Sequence, residues 1–399
     1  MNENKEIREL KTRVSLLEQH VDRMRIDHIE RQLNARLIKP PLPQMRTEQT
    51  KKTKLVLCSN CSPGDIVMLT AAVRDLHVNH PNKFQTDVCT TAMQLWDNNP
   101  YVTRLNGWNE TLVNTPNGLI KKITSNDKDI GVVECNYPLI DNSFGPDSGS
   151  NHSPHHFIHG YIRNLEDQLN IRIKPTKFKG DIHLSKAEKN WTSQAEEHGI
   201  KNFWIIIAGG KNDFTAKWWN PAYYQAVVDH FKDKINFVQC GEISNGHWHQ
   251  PLKNVLDLRG KTDTRQFIRL MHHASGVVCP VTFAMHLAAA VETKGTPKNR
   301  ACVVIAGGRE PSQWEAYPHH QYIHTNGALL CCDDGGCWCS RCQLIGDGDE
   351  KDEKNLCSNP IQITSELRIP KCMNMIAPEE VIRRIELYYE GGALQYAHA

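Results

Sequence analysis

The strongest constraint on this chain is a repeated grammar of apolar run, turn and helix. "KLVLC" (Lys54 to Cys58) leads through the turn "SNCSPGD" into the amphipathic stretch "DIVMLTAAVRDLHVNH", which reads as a helix starting near Asp65. The pattern restarts after "EKNWTSQAEEHGI": "NFWIIIAGG" is a buried strand, "KNDFTAKWWN" a loop, and "PAYYQAVVDHF" a helix with Pro221 in its first turn. "INFVQCG", "GVVCPV" and "RACVVIAGG" read as further buried strands, with "TRQFIRLMHHA" and "FAMHLAAAV" as helices between them and "APEEVIRRIELYY" as a last helix. Alternation of this kind predicts two open α/β domains in tandem, the second beginning near Lys201. Ligands of such sheets sit beyond the carboxyl ends of the strands, so nucleotide-type binding is expected in the cleft between the domains.

Length and charge narrow the function. The chain has 399 residues, and a single core rarely grows past about 250 to 300, which leaves room for two lobes and appendages. Lys and Arg total 47 against 45 for Asp and Glu, a formal net charge of +2. No field of that size favours nucleic acid as a partner. No run approaches the roughly 18 apolar residues needed to span a bilayer, and "MNENKEIREL" lacks the apolar stretch of a signal peptide. A soluble, cytoplasmic protein is the expectation. Near the N-terminus, Ile7, Leu10, Val14, Leu17, Val21 and Met24 form a heptad seam. It suits either a short coiled coil that joins subunits or a helix lying on its own subunit, and "KPPLP" (Lys39 to Pro43) ends it.

The motifs at the two helix starts carry a resemblance. "CSPGDIVMLTAAVRDL" resembles the first loop and helix of glycosyltransferase family nine, the ADP-heptose-dependent heptosyltransferases, and "MHLAAAV" (Met285 to Val291) resembles that family's nucleotide-site helix. The resemblance spans roughly Lys54 to Val304. It implies a GT-B fold, with two Rossmann-like domains facing a cleft, and an inverting transfer without a catalytic metal. It further implies that Asp65 takes the proton of the acceptor hydroxyl, with Gly64 beside it in close approach to a sugar. Asp65 also sits where a helix N-cap belongs. Lys217 in "TAKWW" matches the lysine that holds the donor diphosphate, where a cation stabilises charge growing on the leaving group. Thr215 would add a hydroxyl there. Thr282, Met285 and His286 match the nucleotide-site motif at a helix N-terminus. The chain departs from the family's "DSGPMHLAAA" by carrying Val281 at the acidic position and Phe283 at the glycine.

In "AGGREPSQWEAYPHHQYIHT" (Ala306 to Thr325), Arg309 and Glu310 are expected at the cleft, the first on phosphate and the second on sugar hydroxyls, with an Arg–Glu ion pair as the competing reading. "HSPHHFIHGYIRN" (His152 to Asn164) is rich in histidine, but its spacing is not that of a zinc helix; Pro154 suggests a loop facing the acceptor or the core.

Seven of the 14 cysteines (Cys331, Cys332, Cys337, Cys339, Cys342, Cys357 and Cys372) fall in one C-terminal segment. In a large chain without a signal peptide this favours a metal over disulfides. Four thiolates would give a closed, structural zinc or iron site. Cys339 and Cys342, with two residues between them in a knuckle spacing, form one candidate set with Cys357 and Cys372. Cys332, Cys337, Cys357 and Cys372 form the other, with Gly335 and Gly336 allowing a tight turn. A second resemblance, to the bacterial autotransporter heptosyltransferases with their C-terminal four-cysteine site and Cys-Trp pair, matches Cys337-Trp338 and favours the second set. "IGDGDEKDEKN" between the cysteines lacks the EF-hand order and reads as a solvated charged loop.

The domain organisation expected is thus a helical extension and proline linker (1–43), an acceptor domain (53–190), a donor domain (200–330), a cysteine-rich metal segment (331–376) and a final helix with tail (377–399). The partners expected are a nucleoside diphosphate sugar and a glycan, lipid-linked glycan or protein acceptor. A non-catalytic sugar-nucleotide binding protein and a zinc-ribbon interaction module are the alternatives from other classes.

Overall fold

The apolar runs pair in parallel. A computed structural model of the protein describes residues 52–115, 118–137, 155–244, 246–295, 297–333 and 335–396; the heptad seam and Pro154 lie outside them. In the first half, β1 (Thr53–Ser59) pairs with β2 (Phe84–Thr90) on one side. On its other side lies β5 (Ile130–Glu134), and all three strands run parallel. Between β2 and β5 the chain forms an antiparallel hairpin of β3 (Trp108–Thr115) and β4 (Gly118–Ser125).

The second half holds the larger sheet. Its parallel strands are β6 (Phe203–Ile206), β8 (Asn236–Gln239), β10 (Leu256–Asp257), β11 (Gly276–Pro280), β12 (Ala301–Gly307) and β13 (Gln321–His324), in the order β10-β8-β6-β11-β12-β13. A small antiparallel pair, β7 (Gly209–Lys211) with β9 (His247–His249), projects after β6. Every residue of β6, β11 and β12 is buried, as strands covered on both faces require. Alternate residues serve different cores. Ile205, Val277 and Val304 pack toward the first half, while Trp204, Val278 and Val303 pack toward Trp219, Tyr224 and the last helix.

Among the described residues six longer helices cover the sheets: α1 (Pro63–Asn79), α2 (Phe157–Leu169), α3 (Pro221–His230), α4 (Thr264–His273), α5 (Phe283–Ala290) and α6 (Pro378–Glu390). α1 begins two residues before the expected Asp65. Ser62 is its N-cap, Pro63 its first helical residue, and Asp65 the third position, so Asp65 is not the N-cap itself. Almost all of α1 is buried, because it lies between α2 on one side and α5 of the second half on the other. The histidine-rich stretch is helical rather than a loop: α2 starts at Phe157, and the His156 ring caps it by accepting from the Ile158 N–H (3.1 Å). The acidic stretch after Cys342 is more than a solvated loop. It wraps fully buried Arg341, whose guanidinium donates to Asp347 (2.8 Å) and Asp352 (2.7 Å).

Candidate active site

Asp65, in the first turn of α1, and Lys217, in the second half, lie within range of each other's charge. The Asp65 carboxylate accepts from the Ser62 backbone N–H (3.0 Å) and from the Tyr137 phenol. Enclosure lifts its pKa to about 6, against the pull of the Lys217 charge and of these two hydrogen bonds. Burial pushes the Tyr137 phenol well above its ordinary value; it keeps its proton and donates.

Lys217 ends the 3-10 turn Asn212–Lys217, which follows β7. Its ammonium lies 3.1 Å from Glu310. Burial, then the nearby Arg309 charge, bring its pKa down to about 8, while Glu315 and Asp65 act the other way. With Asp65 near 6 and Lys217 near 8, both side chains are mostly charged at neutral pH and each feels the other's charge.

Several expected donor contacts are corrected. Arg309 and Glu310 are 5% and 4% exposed and pair with each other; the Arg309 Nε also donates to the Cys339 carbonyl (2.7 Å). Burial favours the ion pair over a free phosphate hook, and Glu310 reaches the cleft only through Lys217. Thr215 is fully buried. Its hydroxyl accepts from the Cys342 and Gln343 N–H groups (2.8 and 3.0 Å) and donates to the Gln343 carbonyl (3.0 Å). That is its full capacity, so Thr215 pins the cysteine segment and has no hydrogen bond left for a donor. Met285 is fully buried, because α5 leaves only its first turn near solvent. Thr282 is the partly exposed N-cap of that turn.

His286 is 3% exposed; its Nδ1 stands 2.9 Å from the Tyr317 hydroxyl and its Nε2 3.8 Å from Glu315. Burial keeps the ring neutral. Gly64 faces this ring: a Cβ there would lie 2.9 Å from His286 Cδ2. The glycine therefore permits the two halves to touch, in place of the expected sugar contact. Tyr137, Glu315 and Tyr317 escaped the sequence reading. Glu315 sits five residues beyond Glu310 in a stretch already singled out, and the charged residues of that stretch were the available signal.

The cysteines gather around a small cavity at the end of β12. Cys331, Cys332, Cys337, Cys339, Cys357 and Cys372 line it, with Gly308 and Arg309. Cys372 is influenced by the charges of Cys337, Cys357 and Cys332 together, so the four favoured positions share one space. Cys339 donates to the Leu356 carbonyl (3.3 Å), and Cys342 lies off the cavity, paired with Cys357. Soft sulfur donors in this number suit zinc or iron. Among the described residues no group of three or more metal-ligating side chains stands in ready coordination geometry, and all the cysteines are free thiols.

Comparison with known proteins bears on this arrangement. Residues 154–296 match glycosyltransferase family 9 (heptosyltransferase), a stretch that includes Lys217 and His286 but neither Asp65 nor the C-terminal cysteine cluster. Similar solved structures include TibC, a bacterial iron-containing dodecameric glycosyltransferase from enterotoxigenic E. coli H10407, at 15% identity over 86% of this chain and 77% of that one (TM-score 0.54). TibC in complex with ADP-D-beta-D-heptose gives 14% identity over 85% and 76% (TM-score 0.52). E. coli ADP-heptose LPS heptosyltransferase II gives 13% over 85% and 100% (TM-score 0.50). No curated protein sequence matches the chain. The mixed α/β architecture with its large parallel sheet is consistent with these GT-B neighbours. No helix among the described residues is long and apolar enough to cross a membrane. The resemblance to family 9 covers residues 154–296, and the likeness to the solved structures is one of fold.

Proposed function

We propose that this chain is a family 9 glycosyltransferase, an inverting enzyme that moves a sugar, heptose in our reading, from a nucleoside diphosphate donor, ADP-heptose, to a hydroxyl acceptor. Asp65 takes the hydroxyl proton as the acceptor oxygen attacks the anomeric carbon. The bond to the donor phosphate breaks on the opposite face, and Lys217 neutralises the charge left on the diphosphate. The observation carrying this reading is that Asp65 and Lys217, from different halves, feel one another's charge, with pKa values of about 6 and about 8. Two Rossmann-like halves in a GT-B arrangement, at about 53–190 and 200–330, form the cleft. The acceptor is a glycan, a lipid-linked glycan or a protein. Free thiols throughout fit a cytoplasmic enzyme.

Cys332, Cys337, Cys357 and Cys372 are the residues we assign to a structural metal. They would close all four coordination places, so the ion braces the segment rather than meeting substrate. The iron reported in TibC supports iron over zinc.

ADP release from ADP-heptose tests the function, with a panel of other nucleotide sugars followed by thermal shift. Asp65→Ala should lower turnover by about 10²- to 10⁴-fold while still binding donor. Equal turnover in both proteins would remove Asp65 as the base, and stabilisation by no ADP sugar would remove the heptose assignment.

A further inference from the structure

Trp338 lies at a left-handed backbone position (φ 54°), a conformation that a bulky residue seldom adopts unless its surroundings impose it. Here they do. Its N–H donates to the Arg309 carbonyl (3.2 Å), and the preceding Gly336 passes so close that a Cβ there would lie 2.5 Å from that same oxygen. The indole is 8% exposed and lies under the Arg309 guanidinium, 5.1 Å from ring centroid to Cζ. Phe214 faces the same guanidinium at 5.2 Å and the Lys217 ammonium at 5.5 Å.

From Arg309 the contacts run straight into the cleft. Arg309 pairs with Glu310, and the same Glu310 oxygen lies 3.1 Å from Lys217. The backbone that carries Lys217 is held by the same segment, since the Ala216 N–H donates to the Ser340 carbonyl (3.1 Å) and Thr215 binds Cys342 and Gln343. A lysine on a flexible four-carbon stem needs such support to present its charge at one place.

We propose that Trp338 is a positioning residue of the transfer site: it seats Arg309, and through Arg309 and Glu310 it fixes the Lys217 ammonium where the donor diphosphate arrives. The inference rests on the reading of Lys217 as the diphosphate cation. It gives the cysteine segment a part in donor binding that needs no ligand contact of its own.

Calorimetric titration of the full-length protein with ADP tests it. Wild type should bind one ADP per chain; a wild type that binds none overturns the functional reading itself, before any variant is made. Trp338→Ala should weaken ADP binding about tenfold with the number of sites per chain unchanged, and Trp338→Phe, which keeps a ring under the guanidinium, should recover most of it. In a Lys217→Ala background, Trp338→Ala should add no further loss. An unchanged dissociation constant in Trp338→Ala, a full penalty that persists without Lys217, or a loss seen only as fewer competent sites would each overturn the proposal. If Trp338→Ala does not fold, Thr215→Val takes its place in the same cycle. It removes the pins on the Lys217 turn, and its penalty must likewise vanish without Lys217.

Discussion

Asp65 and Lys217 are tuned in opposite directions, and the pH dependence of turnover should show it. The base works ionised, so kcat/KM should fall as pH drops through about 6; the cation works protonated, so kcat/KM should fall again as pH rises through about 8. A pH–rate profile whose acid limb stays near the ordinary carboxylate value, about 4, would mean that Asp65 is not enclosed as described. The same enclosure has a thermodynamic consequence. The folded-state pKa of Asp65 is raised, so the fold favours its protonated form, and stability falls as pH rises through about 6. Asp65→Asn, which is neutral at every pH and can still accept from Ser62, should therefore gain about 1–3 kcal/mol at neutral pH, measurable as a higher Tm. Residue types nominated Asp65 and Lys217 as candidates. They could not tell a cation free for phosphate from one already paired, as Arg309 is, because pairing depends on neighbours distant in sequence.

Gly64 joins two elements that the sequence places more than two hundred residues apart. Gly64→Ala would press a methyl group against the His286 ring, whose nitrogen is already engaged by Tyr317. Overpacking of this kind should cost about 1–3 kcal/mol and move α1, with its Asp65, away from α5; thermal melts and turnover together check this. Strands and helices were legible because their apolar runs are long and bounded by proline and glycine. The start of α2 was not, since a histidine supplies the cap where Ser, Thr, Asp or Asn is usual. Nor was the role of the acidic stretch, which reads as a solvated loop but gathers around the buried Arg341 guanidinium. Arg341→Met should release that stretch, seen as a lower Tm and faster proteolytic cutting between Gly346 and Lys354.

At the scale of the whole molecule, the cysteine segment is the test of how the second half is braced. Metal analysis of single variants should show loss of the ion in Cys332→Ser, Cys337→Ser, Cys357→Ser and Cys372→Ser and retention in Cys331→Ser, Cys339→Ser and Cys342→Ser. Loss in Cys339→Ser with retention in Cys337→Ser would move the site to the other cysteine set. The sequence by itself determined the architecture, because strand and helix periodicities are local and are written in consecutive residues. It also supplied the carboxylate, the ammonium and the thiols as residue types. Only the tertiary structure decided which charges meet: that Arg309 belongs to Glu310 and Trp338, that Thr215 holds the cysteine segment, and that His286 lies against Gly64. Those choices follow from how burial makes each polar group find a partner, and the partner is set by the packing of the two halves.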